Sequence, residues 1–261
     1  MALSWRQKRK TLISSTLTIL VVVFLAILIV PRLQTAPSCF DGKQNGDESG
    51  VDCGGSCALF CPNEVREPAV RFARVFPVTG NFYNALALIE NQNPEAGLRS
   101  VAYEFKFYDS NNIFIKEYQG KTFLGLHRSA IFAGPIDLEG KIPKRVTFSF
   151  IGQKDFIKIK KEVSSLNIFI TDKKMTDLEN RPKLSAKASN QSGYTLKDID
   201  FIAILYDKED NTVSISKTHL EKLANGEEKE IFFTWPKPLE REINRIEILP
   251  QINPFLLPLN I

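Results

Sequence analysis

The sequence predicts a mainly β protein carried on one N-terminal transmembrane helix. Three observations predict it. Residues 12–30, LISSTLTILVVVFLAILIV, contain no charged side chain. All four cysteines fall between Cys39 and Cys61. The chain beyond them repeats itself at an offset of 98 or 99 residues, with apolar side chains alternating at period two. At 261 residues, 43% hydrophobic and 25% charged, the composition allows one or two packed domains and excludes a disordered or collagen-like chain. The order of elements reads as a basic cytoplasmic stub at 1–11, a transmembrane helix at 12–30, a Cys-rich juxtamembrane segment at 31–65, and two β domains at 66–161 and 162–261.

The formal net charge of +4 is lodged in the stub, where Arg6, Lys8, Arg9 and Lys10 stand with no acid among residues 1–30. The remainder is neutral, so the excess does not form a binding face and nucleic acid is not an expected partner. At about 1.5 Å per residue the uncharged run covers the roughly 30 Å hydrocarbon core of a bilayer. A cleaved secretory signal is the competing reading, but its apolar core would be shorter and would end in a small-x-small site, whereas this run ends in Val30, Pro31 and Arg32. The four cations before the run, against Arg32 immediately after it, orient the N-terminus to the cytoplasm and everything from Pro31 onward outside. The expected location is the cell membrane, single-pass, with extracytoplasmic C-terminal domains.

Cys39, Cys53, Cys57 and Cys61 are separated by thirteen, three and three residues. An even number of cysteines outside the membrane predicts two disulfides, with three pairings open. Four-thiolate zinc sites place close Cys pairs well apart from each other, a spacing this segment lacks. Between the cysteines, Asp41, Asn45, Asp47, Glu48 and Asp52 offer oxygen ligands of the kind calcium takes, and Asp41, Asn45, Asp47 and Asp52 fall partly in EF-hand register. Lys43 occupies a ligand position and Asp52 stands where that loop needs a bidentate Glu. The alternative is that these Asx and Gly residues build tight turns. No cofactor other than calcium is suggested.

The string DGKQNGDESGVDCGGSC resembles the Asp-Gly-x-x-Asn-x-x-Glu-[ST]-Gly-x-Asp-Cys-Gly-Gly-x-Cys segment of bacterial surface and secreted proteins, through Asp41, Gly42, Asn45, Glu48, Ser49, Gly50, Asp52, Cys53, Gly54, Gly55 and Cys57. The resemblance covers under a tenth of the chain; it implies surface exposure and no known chemistry.

In the repeat, Asn91-Gln92 aligns with Asn190-Gln191, Val101 with Ile199, and Tyr108-Asp109 with Tyr206-Asp207, while Phe132 to Pro135 matches Phe233 to Pro236 as F-x-x-P. Val101, Tyr103, Phe105 and Phe107 alternate with Ala102, Glu104 and Lys106; in the second copy Ile199, Phe201, Ala203 and Leu205 alternate in the same way, but Ile202 and Ile204 make that strand apolar on both faces. Turn residues after Asp109 and Asp207 make each of these strands the first arm of a long hairpin. Six or seven short strands in about 100 residues predict an immunoglobulin-like β-sandwich per copy, with a small barrel as the alternative. FKFYD at 105–109 and AILYD at 203–207 are similar to the signature of FxLYD-type domains, in which an Asn-x-[ST] turn precedes a strand ending Phe-x-Leu-Tyr-Asp. Asn190-Gln191-Ser192 and Leu205-Tyr206-Asp207 fit it, while Ala203 and Phe107 depart from it. The resemblance implies an extracytoplasmic sandwich module. Physically, the Tyr packs and the Asp begins the turn.

Enzyme chemistry finds no foothold in the sequence. His127 and His219 do not coincide in the repeat and have no nameable partner, and GxSxG, HExxH, Walker and Rossmann patterns are absent. A dispersed glycosidase carboxylate pair would leave no local signature. Trp235 reads as a core plug. The expected function is a non-enzymatic, membrane-anchored surface protein whose two sandwiches bind or organise a protein partner in the cell envelope. A calcium- or small-ligand-binding module is the second reading, and an envelope enzyme the third.

Overall fold

The structure is a computed structural model and describes residues 5–33, 36–160, 166 and 168–257. The sequence-predicted boundary between the two β domains, at 161/162, lies outside the described residues. Two compact units are formed, Met1–Cys57 and Ala58–Ile261.

In the first unit, helix α1 (Trp5–Leu33) contains the whole uncharged run. Its hydroxyls are satisfied within the helix: Thr16 Oγ1 donates to the Leu12 carbonyl at 2.5 Å and Thr18 Oγ1 to the Ser14 carbonyl at 2.9 Å. Hydroxyls bonded back to the preceding turn present no bare polar group to an apolar surround. The side chains described between Trp5 and Ile29 are exposed, so the helix has no protein core to pack into.

The second unit holds both copies of the repeat. The first copy comprises β1 (Ala69–Thr79), β2 (Phe82–Asn91), β3 (Ala96–Tyr108), β4 (Phe114–Leu124), β5 (His127–Asp137), β6 (Arg145–Ile151) and β7 (Phe156–Lys158). The second comprises β8 (Ile168–Thr176), β9 (Lys183–Asn190), β10 (Leu196–Tyr206), β11 (Thr212–Leu223), β12 (Glu228–Thr234) and β13 (Arg245–Gln251). Sheet orders are β1-β2-β5 and β4-β3-β6 in the first copy and β8-β9-β12 and β11-β10-β13 in the second. Six strands of each copy therefore share one topology; β7, which pairs with β3 at Ala96–Leu98, has no counterpart among the described strands of the second copy. Among the described residues all strand pairings are antiparallel, and neither copy closes into a barrel. The chain folds as a mainly β protein with two tandem sandwiches.

The period-two pattern does the packing its spacing predicts. Val101, Tyr103, Phe105 and Phe107 of β3 face Ala85, Ala87 and Ile89 of β2 across the first core; Ile199, Phe201, Ala203 and Leu205 of β10 face Leu184, Ala186 and Ala188 of β9 across the second. The residues between Cys57 and Cys61 join the first sandwich: Phe60 N donates to Phe156 O at 2.9 Å and Lys158 N to Ala58 O at 2.8 Å, laying Ala58–Phe60 beside β7.

A third apolar cluster joins the two sandwiches. Phe76, Leu86, Leu88 and Ala130, on the outer face of β1-β2-β5, pack on Ile202, Ile204, Tyr206 and Ile215 of β10 and β11. The two-sided apolar character of β10 is thus an interface: one face fills its own core and the other docks on the first sandwich. Arg128 ion-pairs with Glu247 at 2.9 Å and Gln251 Oε1 accepts from Ala130 N at 3.2 Å at the edge of this contact.

Candidate functional site

The cysteine segment has little apolar core, so covalent and polar links shape it. Cys39 is bonded to Cys57, closing a loop of sequence separation 18; Cys53 and Cys61 are also in disulfide linkage and no cysteine is free. The two disulfides expected from the cysteine number are present. Gly55, at φ +52°, is held so close to Asp47 that a Cβ would stand 1.9 Å from the Asp47 carbonyl oxygen, which explains a glycine there.

The acidic residues act as turn caps. Asp52 Oδ1 accepts from the amides of Asp41 at 3.0 Å and Gly42 at 3.1 Å, tying the start of the loop to its end. Asp41 Oδ1 accepts from Lys43 N at 3.0 Å, and its Oδ2 from Asn45 Nδ2 at 2.9 Å. The Asn45 hydrogen bond holds the Asp41 carboxyl below its ordinary value against the opposing effect of burial, with the Lys43 amide and charge adding to it. Glu48 Oε2 accepts from Asn45 N at 3.2 Å and Asp47 Oδ1 from Ser56 Oγ at 2.7 Å. Asn45 Oδ1 is buried without a hydrogen-bond partner, unlike any other side-chain N or O among the described residues. Asp41, Asp47, Glu48 and Asp52 thus each accept at least one hydrogen bond within the segment. Cys39, Glu48 and Cys57 come together, but the disulfide has consumed both thiols, so they offer no thiolate to a metal.

In the sandwiches, the Tyr-Asp turns are built twice from the same parts. Asp109 Oδ1 accepts from the amides of Asn111 and Ile113 at 2.8 and 2.9 Å; Asp207 Oδ1 accepts from those of Glu209 and Asn211 at 3.1 and 2.8 Å. Each is an Asx turn closing a hairpin. An arginine from the neighbouring strand completes it: Arg145 lies 4.2 Å over the Tyr108 ring and donates to Asn112 Oδ1 at 3.0 Å, while Arg245 lies 3.7 Å over Tyr206 and donates to Asp210 Oδ1 at 3.1 Å. Sequence reasoning missed these arginines. Their signal was a further aligned pair, Lys-Arg-Val at 144–146 against Asn-Arg-Ile at 244–246. Asp207 also receives Arg241 at 2.9 Å. Burial pushes its carboxyl up, but the Asn211 amide and Arg241 outweigh this and its pKa is lowered.

Asn91 and Asn190, another of the aligned pairs, are buried corner pins. Asn91 Nδ2 donates to the carbonyls of Ala96 and Gly125 at 2.6 and 2.8 Å; Asn190 Nδ2 donates to Tyr194, Leu223 and Ala224 at 2.8, 2.9 and 3.1 Å. The histidines lie apart: His127 is exposed at φ +66°, and His219 faces Asp200 at 2.9 Å. Trp235 is 5% exposed, with its indole N–H donating to the Ile215 carbonyl at 3.1 Å, which makes it part of the second core. A cleft of about 640 Å³ opens between β1, the start of β11 and residues 235–241.

The fold and the cysteine segment define a tandem β-sandwich protein with an N-terminal apolar helix and a disulfide-bonded segment between. No family model matches the chain, and no characterised protein matches it in sequence. Among solved structures it is similar to red sea bream transglutaminase (8% identity, 70% of this chain and 29% of that one, TM-score 0.24). It is also similar to a glycosyl hydrolase family 2 member from Bacteroides cellulosilyticus (12% identity, 85% and 36%, TM-score 0.23) and to a glycoside hydrolase family 2 β-glucuronidase (10% identity, 83% and 29%, TM-score 0.23). The chain spans about a third of the length of these structures, and likeness at this level carries no functional argument.

Proposed function

We propose that this is a single-pass membrane protein of the cell surface that holds two β-sandwiches, packed on each other, outside the membrane, where they bind or organise a partner in the cell envelope without catalysis of their own. One observation carries the reading: α1 is exposed along its uncharged run, with its hydroxyls bonded inward, in a chain whose four cysteines are all oxidised. An apolar helix with no core to enter needs a bilayer, and disulfides persist outside the reducing cytosol. Arg6, Lys8, Arg9 and Lys10 support an inward N-terminus, and Arg9 lies 5.3 Å over the Trp5 ring, a pairing suited to the membrane interface. The cysteine segment then acts as a stiff collar, and FxLYD-like turns close the hairpins of the projecting modules.

The test is carbonate extraction of membranes from cells making the full chain, with protease added to intact and lysed cells. Retention in the membrane, with the sandwiches digested from outside, is the expected result. Release as a soluble chain lacking residues 1–30 would establish a cleaved signal instead.

A further inference from the structure

We propose that the cleft between the two sandwiches binds an extended acidic polypeptide segment, which pairs with the free edge of β1. The inference rests on the envelope-partner reading above and names the chemistry of that partner.

Three observations meet in this cleft. One wall is Ala73 to Val78, consecutive residues of β1. Alternate residues of a strand point to opposite faces, so a wall built from six in a row is the strand's edge. Among the described residues that edge has no ladder partner, because β1 is the outer strand of its sheet and pairs with β2; β6 of the facing sheet runs near it without hydrogen-bonding to it. Up to Pro77 the β1 edge offers backbone donors and acceptors over about 13 Å, at roughly 3.3 Å per residue. Facing it are Asn211 to Ser214, at the start of β11, the outer strand of the β11-β10-β13 sheet. A groove walled by strand edges is matched by another extended backbone.

Charge selects which one. Arg74, Lys144, Arg145, Lys237 and Arg241 line the cleft, against Glu240 as its one acidic residue. Arg145 and Arg241 are engaged by Asn112 and Asp207. Arg74, Lys144 and Lys237 are exposed and, among the described residues, have no carboxylate within ion-pair distance. An edge strand guarded against aggregation carries its charge and proline on itself, as β1 does with Arg74 and Pro77. The lysines come instead from the opposite walls, where they guard no edge and are placed to meet carboxylates on an occupant. Pro77, which has no N–H, confines pairing to the residues before it. A sulfated or phosphorylated polymer would use the cations and leave the strand edge idle, so the edge favours a peptide.

The experiment uses the full chain in non-ionic detergent. Fluorescence anisotropy follows a labelled octapeptide of alternating Asp and Val, and hydrogen exchange is measured at the β1 amides. Binding should weaken about tenfold or more in Lys144→Glu/Lys237→Glu and stay unchanged in Lys197→Glu/Lys222→Glu, an equal charge reversal on exposed residues outside the cleft. Exchange at residues 74–76 should slow with peptide bound. Absence of binding, binding unchanged by Lys144→Glu/Lys237→Glu, or displacement by dextran sulfate without slowed exchange would each overturn the proposal. Vesicle insertion, measured separately, keeps the two readings apart. A chain that binds peptide but leaves vesicles breaks only the anchor, and one that inserts without binding breaks only the cleft.

Discussion

The two sandwiches share topology, turns and corner pins, and differ in which outer face is apolar. On the first copy's β3 the outer side chains are Glu104 and Lys106, paired to each other at 2.7 Å; on the second copy's β10 the aligned positions are Ile202 and Ile204, 1% and 0% exposed. The opposite sheets show the reverse. Outward from β2 stand Leu86 and Leu88, buried in the contact between copies, whereas outward from β9 stands exposed Lys187, ion-paired with Asp172 at 2.9 Å. Each copy therefore has one sticky outer face, on opposite sheets, and the two faces fit each other. Such a head-to-tail contact would propagate if every copy carried both faces. The two remaining outer sheets carry Glu104 and Lys106 on the first copy and Lys187 on the second, where Phe169 and Phe232 are also exposed.

This contrast can be broken most severely at the contact itself. Ile204→Lys, which gives β10 the residue that β3 has at Lys106, is expected to cost about 4 kcal/mol by burying an unpaired charge. Urea unfolding of the full chain should then separate into two transitions. Loss of the Cys39–Cys57 link through Cys39→Ser/Cys57→Ser should remove about 3 kcal/mol of chain-entropy constraint, seen as protease nicking between residues 40 and 56. Asn190→Ala, which strands buried carbonyls, should cost about 2–3 kcal/mol, and Asn91→Ala, with fewer acceptors to strand, somewhat less by the same unfolding assay.

Acid provides a gentler comparison. Glu104, held low by its Lys106 hydrogen bond, and Asp207, lowered by the Asn211 amide and Arg241 in spite of burial, are both depressed carboxyls. What they contribute is complete above the unfolded carboxylate range near pH ~4 and is lost as pH falls through their lower folded values. Asp207→Asn should therefore flatten the decline in stability below that range, measured as midpoint against pH, and Glu104→Gln should do the same with a smaller amplitude. The smallest change in stability is expected from Lys106→Ile, which extends an apolar outer face on the first copy. Its signature is self-association in sedimentation rather than a shifted midpoint.

Much of this was legible in sequence. Val101 to Phe107 and Ile199 to Leu205 announced their strands because side chains on a pleated strand alternate between faces, and alternation survives without knowledge of any partner. The doubled apolar character at Ile202 and Ile204 was equally visible, but its meaning was not, since a two-sided strand says only that both faces are covered. The covering face on β2, with Leu86 and Leu88, lies more than a hundred residues away. Arg145 and Arg241 escaped notice for the same reason. A cation's role depends on which Tyr or Asp folding brings beside it, and neither Tyr108 nor Asp207 is its neighbour in the chain. In the cysteine segment the turn residues were recognisable by type, yet which cysteine meets which depends on the path of the loop that Asp52 and Asp41 close.

The sequence by itself determined the apolar run, the oxidisable cluster, the duplication and the inward face of each strand, because these depend on composition and on periods of a few residues. Only the tertiary structure decided that the copies dock through opposite sheets, that Cys39 meets Cys57, and that free strand edges and lysines from separate elements enclose one cleft. Those are contacts between distant positions, and the free energy that selects them comes from surfaces that exist only after the strands have paired.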